Sequence, residues 1–317
     1  MSCGDSRAPI DGEGGQSGEP VLYWFQQHTL RVPARFAGVG IHTGQYVNVA
    51  ILPAPADAGI VFVRTDVGGK EGLIAARADA VCETRLGTVI GNAAGVSVST
   101  IEHLMASLCA LSIDNAVIEI DGPETPIMDG SAAAFVAALD SAGRRPLGTP
   151  RQYMEILAPV EAVDGEKRVT LTPARGFEVA FEIDFKTSAI GRQRVDLAID
   201  EQSFREELAD CRTFGFAHEV EALRAAGLAR GGTLDNVVVI DGETILNPEG
   251  LRRGDEFVRH KAVDAIGDLY LLGAPLIGRY EGVRAGHAMN NTLARAVLGS
   301  PKAWRMTALR QEMAHAV

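Results

Sequence analysis

The chain has 317 residues, enough for two domains at roughly 150 residues each. With 46% hydrophobic and 22% charged residues and no apolar run of bilayer-spanning length, its composition excludes a disordered chain and a stably membrane-inserted one. A formal net charge of −11, from 41 acidic and 30 basic residues, argues against a general nucleic-acid binder, because phosphate affinity needs clustered positive charge.

In chain order, residues 1–22 carry neither a basic n-region nor an apolar h-region and are expected to be a disordered extension of a cytoplasmic protein, or the result of a start site placed too early. The cysteines Cys3, Cys82, Cys109 and Cys211 show no CxxC pairing, so neither a thiolate zinc site nor a disulfide framework is expected, which fits a reducing compartment. From Tyr23 the sequence turns strand-like: YVNVAILPAPADAGIVFVRTD alternates valine and isoleucine with other residues and breaks at Pro53 and Pro55. Later, KRVTLTPARGFEVAFEIDF repeats the arrangement, with Val169, Leu171, Pro173 and Ala174 in the places of Val49, Ile51, Pro53 and Ala54. Each copy is followed by a helical segment with apolar spacings of three and four, STIEHLMASLCAL and then EFVRHKAVDAIGDLYLL.

Between the copies, DSAGRRPLGTPRQY carries Gly143, Pro146, Gly148 and Pro150 after the helix-like SAAAFVAAL, which sets a boundary between domains 23–148 and 149–317. The expected fold class is α+β: two similar domains related by duplication, each a β-sheet layered against helices, rather than one doubly wound sheet.

The chemistry concentrates in the two helical segments. In DEFVRHKAVDAIGDLY, residues 255–270, the i, i+4 pair His260 and Asp264 shares one face with Cβ atoms about 6 Å apart, and Asp268 lies a turn further on. Such a pair is a metal half-site or an ordinary surface ion pair. In the earlier segment Glu102 and His103 are adjacent, although Ser99-x-x-Glu102 also has the spacing of a capping box that would account for the glutamate structurally. If the halves pack about a pseudo-twofold axis, the two helices bring His103 to His260 and Asp264, with the active site between the domains. Two histidines and a carboxylate with an open fourth position form a ligand set used by catalytic zinc, with ferrous iron as the alternative ion. His287, beside Gly286 in VRAGHAMNN, reads as a loop histidine titrating near neutral pH, whereas His28, His218 and His315 read as packing or surface residues.

Seven collinear motifs, GVGIHTG, STIEHLMASL, IDNAVIEIDGPETPIMDGSAAAF, RTFGF, GGTLDN, DEFVRHKAVDAIGDLYLLG and GHAMNN, resemble the UDP-3-O-acyl-N-acetylglucosamine deacetylases of bacterial lipid A synthesis. The likeness runs from about Thr29 to SPKAWRMTALRQ, a segment read as a helix. It implies zinc held by His103, His260 and Asp264, Glu102 as general base, and His287 as general acid oriented and charged by Asp268. It also implies that the Thr213 hydroxyl points at the tetrahedral oxyanion and that Phe214 lies beside the substrate. Lys261 is read from spacing as a solvating residue on a different helix face, and from the resemblance as a contact to the nucleotide. The insert around 215–240 is implied to form an acyl-chain passage.

The sequence departs from the family pattern at Arg284, where lysine is frequent, and at Arg253 and Gly254, where an aromatic and an acid are common; His42 lies in GVGIHTG near the site or packs its loop. The implied activity is release of acetate from a UDP-linked acylated glucosamine by a cytoplasmic monomer, the committed step of lipid A biosynthesis. The alternatives are a catalytically silent sugar-nucleotide-binding relative and a deacetylase of another acylated sugar.

Overall fold

A computed structural model describes residues 25–309, so the extension expected at 1–22, Cys3 and His315 lie outside the described residues. Two sheets dominate it. In the first, the spatial order is Ala34–Val39, Tyr46–Pro53, Ala116–Ile120, Ile60–Arg64, Leu73–Ala75. The central strand runs antiparallel to Tyr46–Pro53 and parallel to Ile60–Arg64.

The second sheet has a path of the same order and direction: Val160–Asp164, Lys167–Thr172, Leu276–Val283, Phe177–Asp184, Arg192–Ala198. The strands repeat because the alternation repeats. Val49 and Ile51 turn inward and pair with Ile120 and Ile118, while Val169 and Leu171 do the same opposite Gly282 and Tyr280. The glycine after each turn also serves alike: Gly59 O accepts from Ala116 N at 3.0 Å and Gly176 O from Gly278 N at 2.9 Å.

Each central strand is preceded by a helix, Glu102–Ala110 or Glu256–Tyr270, and followed by another, Ala133–Ala142 or His287–Leu298. The two preceding helices pack on each other inside one continuous apolar core that includes Leu104, Leu108, Val263 and Ile266. Their contact requires Gly267, where a Cβ would stand 2.0 Å from the Glu102 carbonyl oxygen. This close approach sets His103 beside His260.

The segment holding the expected boundary is a strand, Arg144–Pro150, paired antiparallel with Gln26–Leu30, because Gly143 ends the preceding helix at φ 62° and the chain continues extended. One expectation gives way. SPKAWRMTALRQ does not form the expected helix in its described part: Trp304–Ala308 is a strand on Gln152–Ile156, and Trp304 Nε1 donates to Val297 O at 2.9 Å. A partner strand supplies there the hydrogen bonds that a helix would make locally.

The insert runs strand-helix-strand, with Phe214–Phe216 parallel to Val238–Asp241 and Val220–Ala225 between them. Gly231 N donates to Ile41 O at 3.0 Å, tying it to the GVGIHTG loop. Among the described residues, no helix is long and apolar enough to cross a membrane.

Candidate active site

The Glu256–Tyr270 helix buries His260, Asp264 and Asp268 on one face, each no more than 4% exposed. Burying such groups is costly unless they find partners. The helix is anchored at its first turn by Arg212, whose Nε donates to Glu256 Oε1 at 2.8 Å and whose Nη1 donates to Glu249 at 2.6 Å. Next to Arg212 in the chain, the Cys211 carbonyl lies 3.1 Å from His260 Nδ1 and accepts its proton, which leaves the Nε2 lone pair free to coordinate. Burial pushes the His260 imidazole down to about 3, so it is neutral.

Asp264 Oδ1 lies 3.5 Å from His103 Nε2 and 3.4 Å from His260 Nε2, with the two rings edge to face. One ligand atom from each of the three residues lies within 4.8 Å of the others. Among the described residues, no donor hydrogen-bonds to the buried Oδ1. A carboxylate oxygen without a donor, facing imidazole nitrogens, is a converging set of acceptors that a cation satisfies; the chemistry fits a divalent ion such as zinc or iron. Burial opposes the Asp264 charge, but His260, Lys261 and His287 hold its carboxyl well below the usual range.

Around this cluster stands a second layer. Glu102, buried at the start of its helix, has its carboxyl pushed up by burial, against the pull of His287 and His103, and its Oε2 accepts from Thr88 N at 3.0 Å. The capping box does not form: Ile101 is the N-cap with no side-chain bond, and Ser99 Oγ donates instead to Pro123 O. Asp268 Oδ2 accepts from His287 Nδ1 at 2.9 Å and from Asn290 Nδ2 at 2.8 Å. Burial disfavours the His287 cation, but Asp268 and Asp264 outweigh it and raise the imidazole to about 9. His287 is the first residue of the His287–Leu298 helix rather than a loop residue, because Met289, Leu293 and Val297 give that segment a buried helical face.

Lys261 does not serve a separate solvated face: as the i, i+3 neighbour of Asp264 it places Nζ 2.8 Å from Asp264 Oδ2 and 5.6 Å from the Phe214 ring centroid. Phe214 packs edge-on to Phe257 and lies near His260, with centroids 4.9 and 6.4 Å away. Thr213 is fixed through its backbone, donating to Gly130 O and accepting from Val238 N, both at 2.8 Å.

His42 packs its loop, with Nε2 3.2 Å from Leu86 O and its amide donating to Glu124 Oε1 at 2.8 Å. Arg284 pairs with Asp184 and Glu166, and Arg253 with Asp210, so these departures from the family pattern sit in ion pairs at the surface. Sequence reasoning missed Thr88, Asn290 and the Arg212–Glu256 pair. Asn290 carried a signal, being one helical turn after His287 in GHAMNN. A separate cavity of about 340 Å³, lined by Gln27, Asp114, Arg151 and Tyr270 among others, contains none of the predicted site residues, so the chemistry favours the metal cluster.

The comparisons with known proteins bear on this geometry. A family model described as UDP-3-O-acyl N-acetylglycosamine deacetylase matches residues 27–299, a span holding both sheets' paired paths and every residue of the cluster. The chain belongs to this family. A UDP-3-O-acyl-N-acetylglucosamine deacetylase of Phenylobacterium zucineum is 66% identical over 291 residues, covering 92% of this chain and 99% of that protein. Deacetylases of the same name from Syntrophotalea carbinolica and a Shewanella species are 47% and 46% identical, covering 91% and 90% of this chain and 93% and 94% of theirs. In this deacetylase family member, the helices that bring His103, His260 and Asp264 together lie wholly inside the matched span.

Proposed function

We propose that the chain hydrolyses the N-acetyl amide of UDP-3-O-(3-hydroxyacyl)-N-acetylglucosamine and releases acetate, with zinc held by His103, His260 and Asp264. The observation that carries this reading is the donorless Asp264 Oδ1 facing two imidazole nitrogens beside Glu102 and His287, in a chain of the deacetylase family. When bound there, zinc would supply a Lewis acid for the amide carbonyl and acidify water toward neutral pH.

The chain's own residues supply the proton transfers. Glu102, whose carboxyl is raised by burial, takes the proton of the attacking water at Oε1, since Oε2 is occupied by the Thr88 amide. His287, protonated at neutral pH and anchored through Nδ1 to Asp268, gives its Nε2 proton to the departing amine. Thr213 is assigned a hydroxyl donor to the tetrahedral oxyanion. Phe214 forms a wall of the substrate site, and Lys261, now resting on Asp264, is assigned to the anionic nucleotide portion.

The insert around 215–240 is assigned to the acyl chain. The matched strand order and register of the two sheets support a duplicated pair of domains, 23–148 and 149–317. The same reading makes the protein a cytoplasmic monomer that acts on a UDP-sugar in the committed step of lipid A biosynthesis.

Acetate release from the purified protein tests it, measured before chelation, after chelation, and after one equivalent of zinc is restored. Loss on chelation and recovery with zinc is the expected result. No release with zinc restored would move the activity to another acylated sugar or leave only a binding role.

A further inference from the structure

Thr88 touches both halves of the proposed acid and base machinery. It follows Gly87 in the loop between Val81–Glu83 and Val89–Gly91 and is 2% exposed. Its backbone N–H donates to Glu102 Oε2 at 3.0 Å, and its hydroxyl donates to Asp268 Oδ1 at 2.5 Å. The same hydroxyl oxygen lies 3.3 Å from His287 Nδ1.

We propose that Thr88 is a positioning residue that sets the base and the acid relative to each other, holding Glu102 through its amide and the Asp268–His287 pair through its hydroxyl. The inference rests on the reading of Glu102 as base and His287 as acid.

Asp268 presents two oxygens: Oδ2 receives His287 and Asn290, and Oδ1 receives Thr88. Without the Thr88 donor the carboxylate can rotate about its terminal torsion, and the His287 ring rotates with it. A hydroxyl carries one proton, and here it goes to Asp268, so toward His287 the oxygen can only accept. With acceptors on both sides of it, Nδ1 keeps its proton, and Nε2 is left to face the reaction.

Threonine suits the task because its branched Cβ restricts χ1. The loop is braced as well. Leu86, at φ 64°, offers its carbonyl to His42 Nε2, and Glu124 holds both the His42 amide and the Thr100 hydroxyl. At Gly87 a Cβ would stand 3.0 Å from Glu102 Oε1, so a bare residue there leaves that oxygen clear.

Thr88→Val keeps the amide and the branched shape and removes only the hydroxyl donor. The expected result is a kcat about 10- to 100-fold lower, the usual range for an outer-shell partner, with KM and zinc content unchanged. In the metal-free protein the His287 Nδ1–H resonance, protected by Asp268 in the wild type, should broaden. Thr88→Ser should recover most of the lost kcat. Thr88→Ala offers a second route to the same loss if Thr88→Val does not fold.

A wild-type kcat in Thr88→Val overturns the proposal. So does an equal loss in Thr88→Val and Thr88→Ser, or a loss that tracks zinc content, since either marks a merely structural residue. Glu102→Ala, measured alongside, separates the two levels: undiminished acetate release there would overturn the assignment of the base itself.

Discussion

Two buried ionic clusters sit on one helix and are completed in different ways. At the first turn, Glu256 is matched within the chain: its Oε1 takes the Arg212 amide and Nε, and its Oε2 takes Arg212 Nη2 and the Arg252 amide. Two turns later Asp264 is matched on one side only, with Lys261 on Oδ2 and no hydrogen-bond donor on Oδ1 among the described residues. Buried polar groups are nearly always satisfied, so a complete network such as that of Glu256 reads as architecture. An acceptor left over among imidazoles reads as a place for a cation. The same helix therefore carries its own foundation and, beyond it, the reactive site.

The sharpest way to break this contrast is Asp264→Ala. It should remove stably bound metal and lower acetate release by more than the ~100-fold typical of an outer-shell change, while circular dichroism still shows a folded chain. Full metal retention in that variant would sink the ligand assignment. Glu256→Ala attacks the other cluster and should do the reverse, keeping the metal and losing stability. Removing one partner of a buried pair costs about 3–5 kcal/mol, and because Glu249 still accepts one Arg212 bond the expected loss is about 3 kcal/mol by urea denaturation. A change below about 0.5 kcal/mol would place that pair among ordinary surface contacts.

A smaller effect sharpens the contrast from outside the helix. Burial and the nearby Arg144 and Arg151 charges push the His28 imidazole down to about 4 from 6.5. The folded state resists protonation there while the unfolded state accepts it, so the His28 contribution is fully present above pH 6.5 and is lost as the pH falls toward 4. His28→Gln should flatten the fall in thermal midpoint across that window. An unchanged slope would show that other groups set it.

Much of this was legible in the sequence, and the omissions have physical causes. The 255–270 segment declared its helix through apolar spacing, and the structure starts that helix at Glu256 with Asp255 as N-cap. The second imidazole was legible through the repeat and through the STIEHLMASL motif, not through local spacing, since His103 meets His260 by helix packing that depends on Gly267. Thr88 gave no signal because its partner Asp268 lies 180 residues away, and no local pattern marks a single loop hydroxyl. Lys261 was compared with its chain neighbour His260 and so given another face, yet its i, i+3 spacing sets it beside Asp264. Trp304–Ala308 is a strand only because Gln152–Ile156 is there to receive it.

Thermal unfolding of the wild type, Asp264→Ala and Glu256→Ala, each with and without zinc, decides whether Asp264 Oδ1 is a cation's ligand. A ligand that binds only the folded state stabilises it by about 2.7 kcal/mol at 100 times its Kd. Zinc should raise the midpoint of the wild type and of the destabilised Glu256→Ala variant alike, and leave Asp264→Ala unmoved. An Asp264→Ala protein that gains as much from zinc as the wild type would contradict the ligand assignment.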